Sequence, residues 1–274
     1  MLVAQISDLH MAPEGALTFG HVDSAGALAR VVAHVNGLTP RPDLAVITGD
    51  ITNDGSAAEA RQARAVLEGL ECPYLVLPGN HDRRQVLAEV FGPERVQRSA
   101  GGFLNFAHDL GGVRLLGLDS LDEGRPGGAF GAQRARWLAA ALEAAPGPVM
   151  LFMHHPPLPL GVPETDQDGF AGAEALAAQV AAHGRVLRIA AGHVHLATTS
   201  AWQGVPVVTA PAIAMQLTRD FSAAPPPSGF TLSAPGYLLH HLTGAGVLVS
   251  HVVTLGDEEV FPFAPIGGGE GGNV

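Results

Sequence analysis

Short apolar runs recur along this chain, and five of them end on the same kinds of polar residue. Leu2–Ile6 runs into Ser7-Asp8-Leu9-His10, Leu44–Thr48 into Gly49-Asp50, and Tyr74–Leu77 through Pro78 into Gly79-Asn80-His81-Asp82. Val149–Met153 runs into His154-His155, and Leu187–Ala191 into Gly192-His193-Val194-His195. Runs of this length read as strands. A segment of helical period follows each of the first three. One starts at an N-cap, Asp23 or Ser24, and carries Leu28, Val31, Val32 and Val35 until Gly37 and Pro40 end it. A second covers Ala57–Leu70 with Val66, Leu67 and Leu70 inward, and a short third covers Arg84–Phe91.

Further along, Phe103–His108 and Val113–Leu118 predict a hairpin about Gly111-Gly112. A helix bearing Trp137, Leu138 and Leu142 precedes the run into His154, and an alanine-rich helix over Ala173–Ala182 closes at Gly184. The last third predicts strands at Val205–Thr209, Tyr237–Leu242 and Gly246–Thr254, an irregular stretch over 217–235 and a disordered tail over 267–274. Strands alternating with helices imply a mostly parallel sheet, with ligands gathered at the carboxyl ends of its strands. The three late strands have no helices between them and imply an antiparallel addition or a second sheet. The expected fold is α/β, a four-layer α/β/β/α sandwich of two mixed sheets flanked by helices. The polar residues of all five runs are expected at one sheet edge. With no internal repeat and no linker between two cores, residues 1–266 read as a single domain.

Composition narrows the partners. With 47% hydrophobic and 15% charged residues, a chain of 274 residues can bury a full core and is not a disordered polymer. No apolar run approaches a membrane span. The strand over Met1–Ile6 leads directly into Asp8 and leaves no room for a cleaved signal peptide. The single cysteine, Cys72, excludes a disulfide framework and reads as a small buried hydrophobe. A cytoplasmic location is therefore expected. A formal charge of −11 argues against nucleic acid and anionic membranes as partners. A small anionic substrate stays open, because bound cations invert the local potential. The chain has no lysine, which removes Walker-type phosphate binding, Schiff-base chemistry and a lysine base together. It also lacks a Gly-x-Ser-x-Gly elbow.

What remains is the set Asp8, His10, Asp50, Asn80, His154, His193 and His195. Carboxylate, imidazole and amide donors without thiolates suit two divalent or trivalent transition-metal ions (Mn, Fe, Zn or Co) and argue against a closed structural zinc site. Seven donors exceed what one ion with an open position takes, but fit two ions sharing a carboxylate. Such a pair clamps the attacking and leaving oxygens of a phosphoryl displacement and supplies hydroxide from a bridging water near neutral pH.

Asp8-Leu9-His10, Gly49-Asp50, Gly79-Asn80-His81-Asp82, His154 and Gly192-His193-Val194-His195 resemble the five motif blocks of the calcineurin-like metallophosphoesterases, in family order. Phe152-Met153-His154-His155-Pro156-Pro157 and Gly49-Asp50-Ile51-Thr52-Asn53 are similar to the branch of class III cyclic-nucleotide phosphodiesterases and bacterial glycerophosphodiesterases. The resemblance implies that Asp8, His10 and His195 hold one metal, Asn80, His154 and His193 the other, and that Asp50 bridges them. It implies a catalytic role for Asp50 through that bridge and for His81 at the phosphoryl or leaving group, with Asn53 and His155 supporting the ligands from behind. The implied activity is hydrolysis of small phosphodiesters, namely cyclic nucleotides or glycerophosphodiesters. A phosphomonoesterase, a nuclease or a non-catalytic scaffold on the same fold are the rival readings. Asp119-Ser120 is a further candidate for the pocket, while His240-His241 reads as core or surface. The 217–235 stretch, with Phe221 and Phe230, is expected to cap the pocket or join subunits of a homo-oligomer.

Overall fold

In the computed structural model, which describes residues 1–219 and 229–256, alternate residues of each central strand are buried in different cores. The first half runs β1 (Leu2–Ile6), α1 (Ser24–Gly37), β2 (Leu44–Thr48), α2 (Ala57–Leu67), β3 (Tyr74–Leu77) and α3 (Arg84–Phe91). Next come β4 (Phe106–Leu110), β5 (Val113–Leu118), β6 (Gly128–Ala129), α4 (Ala132–Glu143) and β7 (Val149–Met153). Then follow α5 (Pro163–Asp166), β8 (Phe170–Ala171), α6 (Ala173–His183) and β9 (Val186–Ala191). The remainder is β10 (Thr198–Trp202), β11 (Val205–Thr209), β12 (Gln216–Leu217), β13 (Phe230–Thr231), β14 (Gly236–Leu242) and β15 (Leu248–Thr254).

One sheet has the order β15-β14-β1-β2-β3 and the other β10-β11-β9-β7-β5-β4. Val3, Leu44, Val46, Leu75 and Leu77 of the first sheet meet Leu115, Met150, Phe152 and Ala190 of the second in a shared core. Ala4, Ile6, Ala45, Ile47 and Val76 face the other way, onto α1, α2 and α3. Leu116, Leu151, Ile189 and Ala191 pack on α4 and α6. This is the expected α/β/β/α sandwich. Phe152 is fully buried between the sheets, and truncating such a ring to alanine costs about 3–5 kcal/mol.

Several boundaries differ from expectation. Helix α2 stops at Leu67, and its start is fixed by a capping box in which Glu59 N–H donates to Ser56 Oγ (3.3 Å) and Ser56 N–H to Glu59 Oε2 (3.1 Å). The three late strands divide between the sheets. β14 and β15 extend the first sheet antiparallel, but β11 joins the second sheet parallel to β9. β10, which the sequence pattern did not reveal, carries small and polar residues on an edge. The expectation that all five ligand-bearing runs share one sheet edge is also corrected. β1, β2 and β3 lie in one sheet and β7 and β9 in the other, with their carboxyl ends side by side. Residues 220–228, including Phe221, and the 267–274 tail lie outside the described residues. Among the described residues no helix is long and apolar enough to cross a membrane.

A polar strap ties the two sheets together beneath these strand ends. Gln5 donates from Nε2 to Thr48 Oγ1 (3.1 Å) and to the Ala191 carbonyl (2.9 Å), so its Oε1 accepts from His240 Nε2 (3.0 Å). His240 Nδ1 then accepts from Ser250 Oγ (2.7 Å), whose oxygen takes a hydrogen bond from Arg188. His240 is fully buried, and burial first, then the Arg188 charge, pushes its pKa down to about 3. The unfolded chain takes up this proton below about pH 6.5, whereas the folded protein does so only near 3, so stability falls as pH drops between those values. Denaturant unfolding should lose about 2 kcal/mol more between pH 7 and pH 5 in the wild type than in His240→Gln. Parallel curves for the two proteins would show that His240 is not buried neutral.

Candidate metal centre

The turns after the five strands interlock before any side chain is considered. Asp8 N–H donates to the Gly49 carbonyl (3.1 Å) and His10 N–H to that of Asp50 (2.8 Å). His81 N–H donates to Asp50 Oδ1 (2.9 Å), and His193 N–H to Asp8 Oδ1 (3.0 Å). A Cβ on Gly79 would collide with the Asp50 carboxylate, so these two turns pack this closely only with glycine there. Asp8, His10, Asp50, His193 and His195 all take left-handed backbone, with φ between 42° and 71°. Each such residue costs on the order of 1–3 kcal/mol, and strain of this kind collects where a side chain must be aimed.

The side chains converge in two groups. Asp8, His10, Asp50 and His195 place ligand atoms within 4.8 Å of one another, all buried. His10 Nε2 lies 3.0 Å from His195 Nε2, and His195 Nε2 lies 3.6 Å from Asp8 Oδ1. In the second group Asn80 Oδ1 lies 3.1 Å from both His154 Nε2 and His193 Nδ1. Asp50 Oδ2 stands between the groups, 3.5 Å from His10 Nε2 and 3.3 Å from His154 Nε2. All seven expected donors are therefore brought together.

Their hydrogen bonds show that these donors fit a cation. His154 Nδ1–H donates to the Thr48 carbonyl (2.7 Å) and His195 Nδ1–H to that of Met215 (2.9 Å). Each neutral ring then presents its Nε2 lone pair to other lone pairs, which repel unless a cation or proton lies among them. Burial opposes charge on His154, but the carboxylates of Asp50 and Asp8 win and raise its pKa to about 9. Asp50 is likewise held well below the usual carboxylate range against its burial, chiefly by His154. Burial and the neighbouring His154 push His193 down to about 3. Carboxylate and amide oxygens with imidazole nitrogens of this kind suit a transition-metal ion.

His155 also lies beside His154 and His193, with ring centroids 4.7 Å from each. Both its nitrogens are already engaged, however. Nε2–H donates to the Pro126 carbonyl (3.0 Å) and Nδ1 accepts from Ser120 Oγ (2.8 Å), so no lone pair is free. Asn53 accepts on its carbonyl from His81 Nδ1–H (2.7 Å), which leaves His81 Nε2 without a partner among the described residues. The His81 ring lines a cavity of about 790 Å³ with Asn53, Asn80, Arg83, Glu89 and Glu123. A smaller groove of about 300 Å³, lined by Arg41, Asp43, His241 and His251, sits beside the opposite end of β1 and has no comparable donor set.

Residues that support the ligand turns are also visible. Asp82 is fully buried and accepts from the backbone of Ile51 (3.1 Å), Thr52 (2.9 Å) and Gly79 (2.9 Å), clamping two ligand turns together. Burial and the Asp50 charge push its pKa up to about 6. Asp119 does not reach the cavity; it is buried under a two-pronged bond from Arg84 (2.6 and 2.8 Å), while Ser120 acts on the site through His155. Asp168 places Oδ2 4.0 Å from His193 Nε2. Of these, only Asp168 went unremarked in the sequence, because a lone Asp in a loop has no sequence pattern of its own.

Residues 1–197 match the calcineurin-like phosphoesterase family. The chain is 34% identical over 270 residues to a probable glycerophosphodiester phosphodiesterase, GpdQ, of Arcobacter nitrofigilis, covering 96% of this chain and 97% of that protein. It is 30% identical over 263 residues to the 3′,5′-cyclic adenosine monophosphate phosphodiesterase CpdA of Pseudomonas aeruginosa, covering 94% and 91%. Among solved structures, a dimetal phosphatase from Danio rerio superposes with a TM-score of 0.65 over 93% of this chain and 98% of that one, at 18% identity, a likeness of fold. The extent of the family match and the near full-length relatives make the conclusion direct: this chain belongs to the calcineurin-like phosphoesterases and is a hydrolase of that family.

Proposed function

We propose that this protein is a dinuclear metal-dependent phosphodiesterase acting on small phosphodiesters, with glycerophosphodiesters and cyclic nucleotides the leading classes. The observation that carries this reading is the position of Asp50 Oδ2, within 3.5 Å of a donor from each group. In this reading Asp8, His10 and His195 hold one ion, Asn80, His154 and His193 the other, and Asp50 both. Mn, Fe, Zn or Co suit these oxygen and nitrogen donors. Two such ions supply Lewis acidity at the phosphoryl oxygens and activate water as the nucleophile of an in-line displacement.

The chain's own residues orient and protonate. The Asn53 carbonyl fixes the His81 tautomer, so Nε2 faces the cavity and can meet the leaving oxygen. Burial alone would lower the His81 pKa, but the Asp50 carboxylate and the Asn53 carbonyl outweigh it and raise it. His155, locked by Ser120 and Pro126, buttresses the His154 and His193 rings. The cavity wall carries one arginine, Arg83, beside Asp54, Glu89 and Glu123. A monoester brings a second negative charge that this wall repels, whereas a diester brings one. The relatives named as phosphodiesterases support the same choice.

The test is hydrolysis of bis(p-nitrophenyl) phosphate and of p-nitrophenyl phosphate, with cyclic nucleotides and glycerophosphodiesters, after stripping and reloading with each metal. The diester should be the faster substrate at neutral pH. A kcat/KM that favours the monoester by about tenfold or more would overturn the reading.

A further inference from the structure

His193 differs from His154 and His195 in how its ring is held. His154 and His195 each point one nitrogen at a donor and give the other to a backbone carbonyl. His193 points Nδ1 at Asn80, but no backbone carbonyl meets its Nε2 among the described residues. The group facing that nitrogen is the carboxylate of Asp168, at 4.0 Å.

Asp168 is held there by a small clasp. β6 and β8 pair in parallel, with Gly128 opposite Phe170 and Ala129 opposite Ala171, and Gly128 N–H donates to the Gly169 carbonyl (3.1 Å). A Cβ on Gly127 would collide with the Asp168 carbonyl, so the two loops touch backbone to backbone. The same loop supplies the Pro126 carbonyl that orients His155, whose ring packs beside His193. The clasp thus sets two side chains against one imidazole. Only the carboxylate can take a proton from it, since both His155 nitrogens are engaged.

We infer that Asp168 is the positioning residue for His193: its carboxylate accepts the Nε2–H, which fixes the tautomer that offers the Nδ1 lone pair beside Asn80 and makes that nitrogen a stronger donor. The 4.0 Å separation is about 1 Å longer than a hydrogen bond, and the carboxylate is mostly buried, with 18% exposed, beside the ring it faces. A carboxylate behind a ligating imidazole is a general device for orienting and strengthening it, and its loss typically weakens metal affinity about 10- to 100-fold. The inference rests on the two-metal reading above.

The experiment is stepwise titration of metal-stripped protein with Zn²⁺ against a chromophoric chelator, on wild type, Asp168→Ala and Asp168→Glu. Thermal unfolding of each stripped protein is measured alongside. The expected result is a 10- to 100-fold weakening of one of the two binding steps in Asp168→Ala with the other unchanged, an unchanged melting temperature without metal, and recovery in Asp168→Glu. Two unchanged steps, or equal weakening of both with a lower melting temperature, would overturn the role of Asp168. A wild type that binds fewer than two ions would instead overturn the two-metal reading, so the two failures are told apart.

Discussion

Asp50→Ala should lose both metal ions and lower kcat/KM on a diester by more than about 10³-fold, at or beyond the upper end of what one electrostatic contributor supplies. The size follows from geometry. Asp50 Oδ2 lies within 3.5 Å of a ring nitrogen of each group, whereas the ring nitrogen closest to Asp8, that of His195, belongs to the first group alone. Its other oxygen accepts from His81 N–H, so the variant also loosens the turn that carries Asn80. Asn80→Ala is the control, because it removes a donor from one group and leaves Asp50 and the His10–His195 pair in place. Metal content measured on both variants decides the matter. Two ions retained per chain in Asp50→Ala would exclude a bridging role.

His81→Ala is expected to keep both ions yet lose about 10²-fold or more in kcat/KM on alkyl and cyclic diesters, and much less on p-nitrophenyl diesters. An alkoxide leaves as a strong base and needs a proton, whereas p-nitrophenolate leaves without one. The geometry suits such a donor. Nδ1 is committed to the Asn53 carbonyl at 2.7 Å, and the ring borders the cavity beside Asn80. Its ring also packs T-shaped against that of His10, with centroids 4.7 Å apart, which restrains rotation. Equal losses on both substrate types would reduce His81 to a binding group. Loss of an ion would make it a ligand.

Much of this was legible locally. The run lengths of Leu2–Ile6, Tyr74–Leu77 and Val149–Met153 gave the strands, and Asp23 and Gly184 marked helix ends, because periodicity and capping act over a few residues. The donors at the strand ends were legible for the same reason, since each follows directly on an apolar run. β10 was not legible. Its alternation of threonine, serine and alanine carries little hydrophobic contrast, and its place depends on β11 lying beside it.

The sequence by itself determined which residue types stand at the carboxyl ends of which strands, and hence the family. Only the tertiary structure decided that those ends belong to two sheets and not one. It alone set Asp50 Oδ2 between His10 and His154, gave His155 two partners that leave it no lone pair, and brought Asp168 up to His193. His10 and His195 lie 185 residues apart along the chain and 3.0 Å apart in space. Such meetings follow from strand register and sheet packing, in which every side chain of the shared core takes part. No short window of sequence carries that information, because the forces that set it are summed over the whole fold.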